Sequence, residues 1–213
     1  KGDLRVEYTA AAVTGTADSI TLTLNDVGTS ATAASAFNAN GVETVSVVSS
    51  GAANFLSLEA GAYTTVNASG TQALTIEVQD TDVTVFDAST ATGAVTADLS
   101  AIANANLTSV IGGTGSTDTV TLGGAAVSVT AATNGLSKFS GFETLGVDTA
   151  HGITMSADTS GITSFNLTQD LVQTLTLNTG YTGATSVDVT GSNAGDTVAN
   201  SANVALTVAA GMT

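Results

Sequence analysis

Short segments in which apolar and polar residues alternate recur at regular intervals along the chain. In Ser19–Leu24 and Ala73–Val78, for example, Ile, Leu and Val alternate with Thr, Ser and Glu. Side chains alternate between the two faces of a β-strand, so this pattern predicts strands with one buried face and an all-β fold. Two Ala-rich stretches, Ala31–Ala39 and Leu99–Asn106, lack an apolar stripe at helical spacing and could form short helices or loops.

Short strands that recur at regular intervals are compatible with two architectures. An antiparallel β-sandwich needs hairpin turns, yet the usual Asn-Gly and Asp-Gly dipeptides occur only at Asn40-Gly41 and Asn134-Gly135. Both lie near the same position of an internal repeat, so they mark a unit boundary better than a series of hairpins. We therefore predict a right-handed parallel β-helix, or β-solenoid, with the sandwich as the alternative.

The internal repeat is visible in two pairs of matching segments. Gly15–Leu22 matches Gly115–Leu122, and Gly41–Val47 matches Gly141–Val147, with the same offset and without a gap in either case. A third turn, Gly191–Val198, begins a further copy, and we expect the sequence to be a piece of a longer chain. The repeat predicts a modular, elongated architecture built from two and a fraction repeat units. The predicted units are residues 1–114, residues 115–192 and the start of a third unit at 193–213.

The composition narrows the possible functions. Apolar residues make up 43% of the chain and aromatic residues only 4%, so small aliphatic side chains must fill the core. The net charge is −15, because 18 acidic residues face only Lys1, Arg5 and Lys138. This balance argues against nucleic-acid binding, which needs clustered cations, and favours affinity for metal cations. No apolar run is long enough to insert into a bilayer, and there is no cysteine.

The sequence does not favour an enzyme. His151 is the only histidine, and no nucleophile motif lies near it. Glu43 and Glu143 belong to separate repeat units, so we interpret them as structural or interface residues rather than as a catalytic pair. A polysaccharide lyase would need cations at its substrate site, and besides the first residue only Arg5 and Lys138 are present.

Acidic residues in the turns are the candidate metal ligands. Asp18, Asp118 and Asp196 occupy equivalent turn positions, where a carboxylate either binds calcium or accepts hydrogen bonds within its own turn. Asp80 and Asp82 are separated by one residue, which in an extended segment places both carboxylates on one side. A cation, or water at an exposed turn, would relieve their repulsion.

The stretch from Gly112 to Val120 resembles the Gly- and Asp-rich calcium nonapeptide of RTX proteins. In that family, glycine carbonyls and the aspartate carboxylate of successive coils share calcium ions. The resemblance implies Ca²⁺ as the cofactor, with Gly113, Gly115 and Asp118 as ligands. An extra residue separates Gly115 from Asp118 and no second nonapeptide follows, so it implies an isolated site rather than a row of ions.

A wider resemblance links the Asp turn, the Thr/Val strand and the motif Gly-Phe/Val-Glu-Thr-Leu/Val-x-Val. Together they resemble the surface-layer (S-layer) proteins of Gram-negative bacteria, especially the Caulobacter type, which are exported by type I systems. The resemblance implies a β-rich, self-assembling, calcium-dependent lattice on the bacterial cell surface, with cell-surface polysaccharide bound through other domains. The alternative is the stalk or passenger of a type I-secreted, RTX-like adhesin.

Overall fold

The computed structural model describes residues 2–9, 11–123, 127–129, 139–147, 153–155, 161–167, 174–179, 181, 186–191, 197–200 and 205–208. Within these residues the chain forms β-strands and one short 3₁₀ helix, Ala31–Ala33. The strands are β1 (Leu4–Val6), β2 (Ser19–Asn25), β3 (Ser35–Ala39), β4 (Thr44–Ser50), β5 (Asn54–Leu58), β6 (Thr65–Gly70), β7 (Leu74–Val78), β8 (Val85–Ala91), β9 (Val95–Ala103), β10 (Ser109–Ile111), β11 (Thr119–Gly123), β12 (Val127–Val129), β13 (Phe139–Ser140), β14 (Thr144–Val147), β15 (Ile153–Met155), β16 (Ser164–Leu167), β17 (Thr174–Leu177), β18 (Ser186–Gly191), β19 (Thr197–Asn200) and β20 (Ala205–Val208).

The strands form three sheets. Sheet A contains β1, β3, β5, β7, β9, β11, β14, β16, β18 and β20 in that order; sheet B contains β2, β4, β6, β8, β10 and β13; sheet C contains β12, β15, β17 and β19. Every pairing between these described strands is parallel. The predicted β-solenoid is confirmed, in a form consistent with a right-handed parallel β-helix, and the antiparallel sandwich is wrong.

Successive turns of the coil stack in register, although they differ in length. One turn of the coil leads from Asn54 to its partner Leu74, and a longer turn leads from Thr119 to Thr144. In strands such as β4 and β7, alternate residues point inward and form columns through the core. One such column on sheet B consists of Ile20, Val45, Val66, Phe86 and Val110. All but Ile20 are fully buried, so the alternation in the sequence is used to build a continuous interior.

The Ala-rich stretches are mostly strand. Only Ala31–Ala33 is helical, whereas Ser35–Ala39 forms β3 and the start of the second stretch lies in β9. Phe37 is 2% exposed and stacks between coils, since β3 pairs with both β1 and β5. Tertiary stacking therefore overrides the weak local preference for helix.

The two matching copies of the Asp turn lie on different sheets. Ser19–Asn25 belongs to sheet B, and Thr119–Gly123 belongs to sheet A. Residues Ser19 and Thr44 are partners across neighbouring coils, as are Thr119 and Thr144. The two repeat copies therefore form the same local arrangement on two different sheets of the coil.

Candidate cation site at the Asp turns

Asp118 immediately precedes β11, after the loop Gly112–Thr117, and it is completely buried. Its backbone N–H donates to Glu143 Oε2 at 2.8 Å, in the next coil. Its carbonyl oxygen accepts from the N–H groups of Glu143 and Thr144, both at 3.0 Å. These bonds tie Asp118 and Glu143 together at the junction where both coils enter sheet A.

The Asp118 carboxylate has one bonded and one orphaned oxygen. Oδ1 accepts the Val95 N–H at 2.6 Å from the preceding coil, whereas the buried Oδ2 has no hydrogen-bond partner. Glycines of the loop make room for Oδ2, because a Cβ on Gly113 or Gly115 would lie 3.1 or 3.4 Å from it. A buried carboxylate oxygen in a glycine-rich turn is a position that a cation or a proton would stabilise.

The pKa shifts of Asp118 and Glu143 also favour a bound cation at this junction. Burial raises the pKa of Asp118, and the backbone amides of Val95 and Gly113 oppose that rise. Burial also raises the pKa of Glu143; the Asp118 N–H opposes the rise and the charge of Asp118 adds to it. Two neighbouring carboxylates therefore both disfavour their charged forms, which is the condition that a bound cation reverses.

Asp18 repeats this geometry just before β2. Its N–H donates to Glu43 Oε2 at 2.8 Å, and its carbonyl oxygen accepts from Glu43 and Thr44 at 3.1 and 3.0 Å. Its Oδ2 is also buried without a partner, 3.6 Å from where a Cβ on Gly15 would lie. The sequence match between the two turns therefore corresponds to one three-dimensional arrangement.

One arrangement recurs at the coil junctions: a side chain accepts a hydrogen bond from a backbone N–H group of the preceding coil. Glu43 and Glu143 each accept the N–H of an aspartate, and Asp118 accepts that of Val95. Asn54, fully buried, accepts the N–H of Val27 at 2.8 Å. Sequence reasoning identified the glutamates only as structural or interface residues and missed Asn54. The identical spacing from Asp to Glu in both repeat copies was the available signal.

The expectation that Asp80 and Asp82 share one side of an extended segment is wrong. Asp80 is 3% exposed, and its Oδ2 accepts the N–H groups of Gly61 and Tyr63 at 2.9 and 3.0 Å. Asp82 is exposed, and its N–H donates to Asp80 Oδ1 at 3.1 Å. Residues 81 and 82 form a turn, so the alternation of an extended strand does not apply to them.

The remaining candidates fall outside the described residues. Asp196 and His151 both lie there. Among the described residues, no three His, Cys, Asp or Glu side chains converge in a way that could hold a metal ion. A calcium ion at Asp118 or Asp18 would therefore take most of its ligands from backbone carbonyls and water. The orphaned Oδ2 atoms and the glycine turns fit such an oxygen-rich site.

Stacked parallel coils with buried carboxylates at their junctions define this chain as a β-solenoid repeat protein. No known protein family, curated protein sequence or solved structure matches the chain. In the part of the chain that the structure describes, no helix is long and apolar enough to cross a membrane.

Proposed function

We propose that this chain is a structural, self-assembling segment of a bacterial S-layer protein that forms a calcium-dependent lattice outside the cell. One observation carries the proposal. The same acid-bearing coil junction occurs at Asp18–Glu43 and at Asp118–Glu143, and each copy holds a buried carboxylate oxygen without a hydrogen-bond partner. A stack of coils supplies a stiff element for mechanical cohesion. Cation binding at its junctions would regulate how firmly the coils pack.

Calcium supplies positive charge and about six to eight oxygen-ligand positions. The residues that would hold it are Asp118, through Oδ2, and the turn containing Gly113 and Gly115; Asp18 and Gly15 would form the second copy. Burial raises the pKa of Asp118, so the charged carboxylate is the form that a bound cation would stabilise. Neutralising it removes repulsion between neighbouring coils, so the solenoid stiffens and copies can pack together. Asp196 is a third candidate of the same kind, and cell-surface polysaccharide is the proposed partner of other domains.

The proposal is tested by electron microscopy and thermal unfolding during a calcium titration. We expect planar arrays with calcium and their loss in excess EDTA. Calcium at about one hundred times its Kd stabilises a one-site protein by about 2.7 kcal/mol, which for this length raises Tm by about 5 to 11 °C. The double variant Asp18→Asn/Asp118→Asn is expected to lose both responses. Asp82→Asn, at an exposed turn acid, is the matched control and is expected to keep them.

An unchanged Tm and unchanged assemblies in excess EDTA would contradict the calcium dependence. Equal loss of the response in Asp82→Asn and in the double variant would contradict the assignment to the Asp turns. Arrays that form with and without calcium would leave a lattice protein whose assembly is independent of these sites.

The second candidate function is the stalk of a type I-secreted adhesin. The ten strands of sheet A span nine interstrand spacings of about 4.8 Å, or about 43 Å, and such an extended stack also suits a spacer. The same microscopy separates the two functions, because a stalk remains monomeric and a lattice protein forms planar arrays.

A further inference from the structure

The solenoid has one continuous sheet and two sheets that replace each other along its length. Sheet A continues from β1 to β20, whereas sheet B ends at β13 and sheet C begins at β12. Before β11 the described strands alternate between sheets A and B, and after β13 they alternate between sheets A and C. Among the described strands, only β11, β12 and β13 place all three sheets in one coil. We call this coil, residues 118–142, the boundary coil; the structure describes it at 118–123, 127–129 and 139–142.

The hydrogen bonds at the corners of the coil change sides at the same place. Ahead of sheet B, one carbonyl oxygen of each coil accepts two consecutive N–H groups from the next coil. These acceptors are Asp18, Glu43, Thr64 and Thr84. From the boundary coil onward the same pattern lies ahead of sheet A, with Asp118 and Glu143 as the acceptors. The second repeat copy is therefore shifted by part of a coil relative to the first.

Pairing and packing are both weaker at the boundary coil. Within the described residues, β10 and β13 pair over two residues, whereas β4 and β6 pair over six. The core holds an apolar cavity of about 10 Å³ here, and its lining includes Val120, Phe139, Phe142 and Ile162. Stacked repeats are held together by the interfaces between neighbours, so a weak interface divides a solenoid into separate cooperative units.

Asp118 makes hydrogen bonds on both sides of this boundary. Its Oδ1 accepts the Val95 N–H of the preceding coil, and its backbone N–H donates to Glu143 Oε2 of the following coil. The orphaned Oδ2 lies against Gly113 and Gly115, in the loop that leads into the boundary coil. A cation on Oδ2 would therefore fix the residue that connects the two halves of the solenoid.

We propose that the solenoid consists of two cooperative units, one on each side of the boundary coil, and that cation binding at Asp118 couples them. Without a cation the units open separately, because the interface between them is weak. With a cation, opening either unit disrupts the site and releases the ion, so the units open together. This inference rests on the calcium site proposed above and deepens it by stating what the site regulates: whether the stack behaves as one stiff element or as two.

Native-state hydrogen exchange, read by mass spectrometry at increasing urea, tests the two units. In EDTA we expect the amides of β4–β8 and those of β14–β17 to differ in their opening free energy and in its dependence on urea. Calcium is expected to bring the two sets together. At about one hundred times the Kd, exchange in the less stable set should slow by up to about a hundredfold, because its opening then releases the ion.

Matched core substitutions assign the amides to their units. Phe86 and Phe165 are both fully buried, one on each side of the boundary coil. In EDTA, Phe86→Ala is expected to speed exchange in β4–β8 by about a hundredfold or more and to leave β14–β17 within about twofold. Phe165→Ala should do the reverse. Phe86→Leu and Phe165→Leu leave smaller cavities and serve as the milder pair if an alanine variant does not fold.

A second pair of variants tests the coupling. Asp118→Asn is expected to keep the two sets of amides separate in calcium. Asp82→Asn, at an exposed turn acid of the first unit, is the matched control and is expected to let them converge as in the wild type. Convergence in Asp118→Asn equal to that in the wild type would overturn the assignment of the coupling to Asp118.

The outcomes separate this inference from the proposed function. Core substitutions that speed exchange equally in both sets in EDTA would overturn the two units and leave the calcium-dependent lattice standing. Calcium that raises the Tm of the wild type but leaves the two sets separate would overturn the coupling, and the proposed function would again stand. Two sets in EDTA with no response of Tm or exchange to calcium would overturn both the coupling and the calcium dependence of the lattice.

Discussion

Replacing Asp118 by Asn tests whether the buried carboxylate destabilises the solenoid when no cation is present. The amide oxygen of Asn can keep the bond from the Val95 N–H, which the carboxylate Oδ1 accepts at 2.6 Å. The amide nitrogen then occupies the position of Oδ2, which has no partner. The substitution therefore replaces a buried charge by a neutral amide with little change in shape, and it gives up the favourable interaction of that charge with the Gly113 amide.

The expected gain follows from that exchange. An unpaired buried polar group costs about 1 to 3 kcal/mol, and more when it is charged. Since the neutral amide is also unpaired, the net gain in the free energy of unfolding is the difference between the two costs, about 1 to 2 kcal/mol in EDTA once the pH is high enough to ionise the carboxylate. For a chain of this length it corresponds to a rise in Tm of about 2 to 8 °C.

The pH dependence has a definite sign. Burial raises the pKa of Asp118 above 3.8 in the folded protein, so the folded state binds this proton more tightly than the unfolded chain. The associated stability is complete below pH 3.8 and is lost as the pH rises through the raised pKa. In Asp118→Asn this loss of stability is absent. The difference in the free energy of unfolding between the variant and the wild type is therefore expected to grow as the pH rises towards neutrality.

The assay is urea unfolding in EDTA from pH 3.8 to neutral pH, with Asp82→Asn as the control. The control removes an exposed carboxylate and is expected to stay within about 0.5 kcal/mol of the wild type. An Asp118→Asn variant less stable than the wild type at neutral pH in EDTA would refute the reasoning, because the negative charge would then be stabilising.

Three further predictions concern the scaffold. Asn54→Ala is expected to lower the free energy of unfolding by about 2 to 4 kcal/mol, because Asn54 accepts from Val27 and donates to Ser49 Oγ and two carbonyls in a buried setting. Phe86→Ala, in the middle of a core column, is expected to cost about 3 to 5 kcal/mol by urea unfolding. Tyr181→Phe removes a hydroxyl that donates to the Ile162 carbonyl at 2.5 Å and whose pKa burial raises to about 12. In the wild type, the stability linked to this hydroxyl is complete below pH 10 and is lost as the pH rises through 12; Tyr181→Phe should lack that loss.

Each of these has its own control. Val85 points outward beside Phe86, and Val85→Ala is expected to cost far less than Phe86→Ala; equal costs would contradict the assignment of the two faces. An Asn54→Ala variant as stable as the wild type would show that water replaces the lost bonds. Absorbance titration of tyrosine in the folded wild type and in Tyr181→Phe should differ by one late-titrating group, and identical curves would contradict burial of this hydroxyl.

Much of the scaffold could be read from the pattern of residues. Alternation of Ile, Leu and Val with Thr, Ser and Glu placed β2 and β7 close to where they lie, because a strand with one buried face requires that period. The scarcity of hairpin dipeptides correctly favoured parallel over antiparallel pairing. By contrast, Ser35–Ala39 carried no strong local signal, and its strand depends on the column that Phe37 enters.

Only part of the candidate site could be predicted from the sequence. The matching turns pointed to Asp18 and Asp118, and both have an orphaned Oδ2. The calcium assignment and the limits of the repeat units stay predictions. Asp80 shows why acid spacing alone misleads, since a turn at residues 81 and 82 sends its carboxylate into the interior to accept two backbone amides.

The amino-acid sequence by itself determined strands such as β2 and β7 and the recurrence of an Asp that a Glu follows at the same spacing in both repeat copies. These are local properties, set by side-chain alternation and turn chemistry. Only the tertiary structure decided that the two copies lie on different sheets and that each Glu accepts the amide of its Asp from the neighbouring coil. The reason is that a contact between coils depends on how many residues each turn of the solenoid takes. That number varies with every loop, and no single strand or turn encodes it.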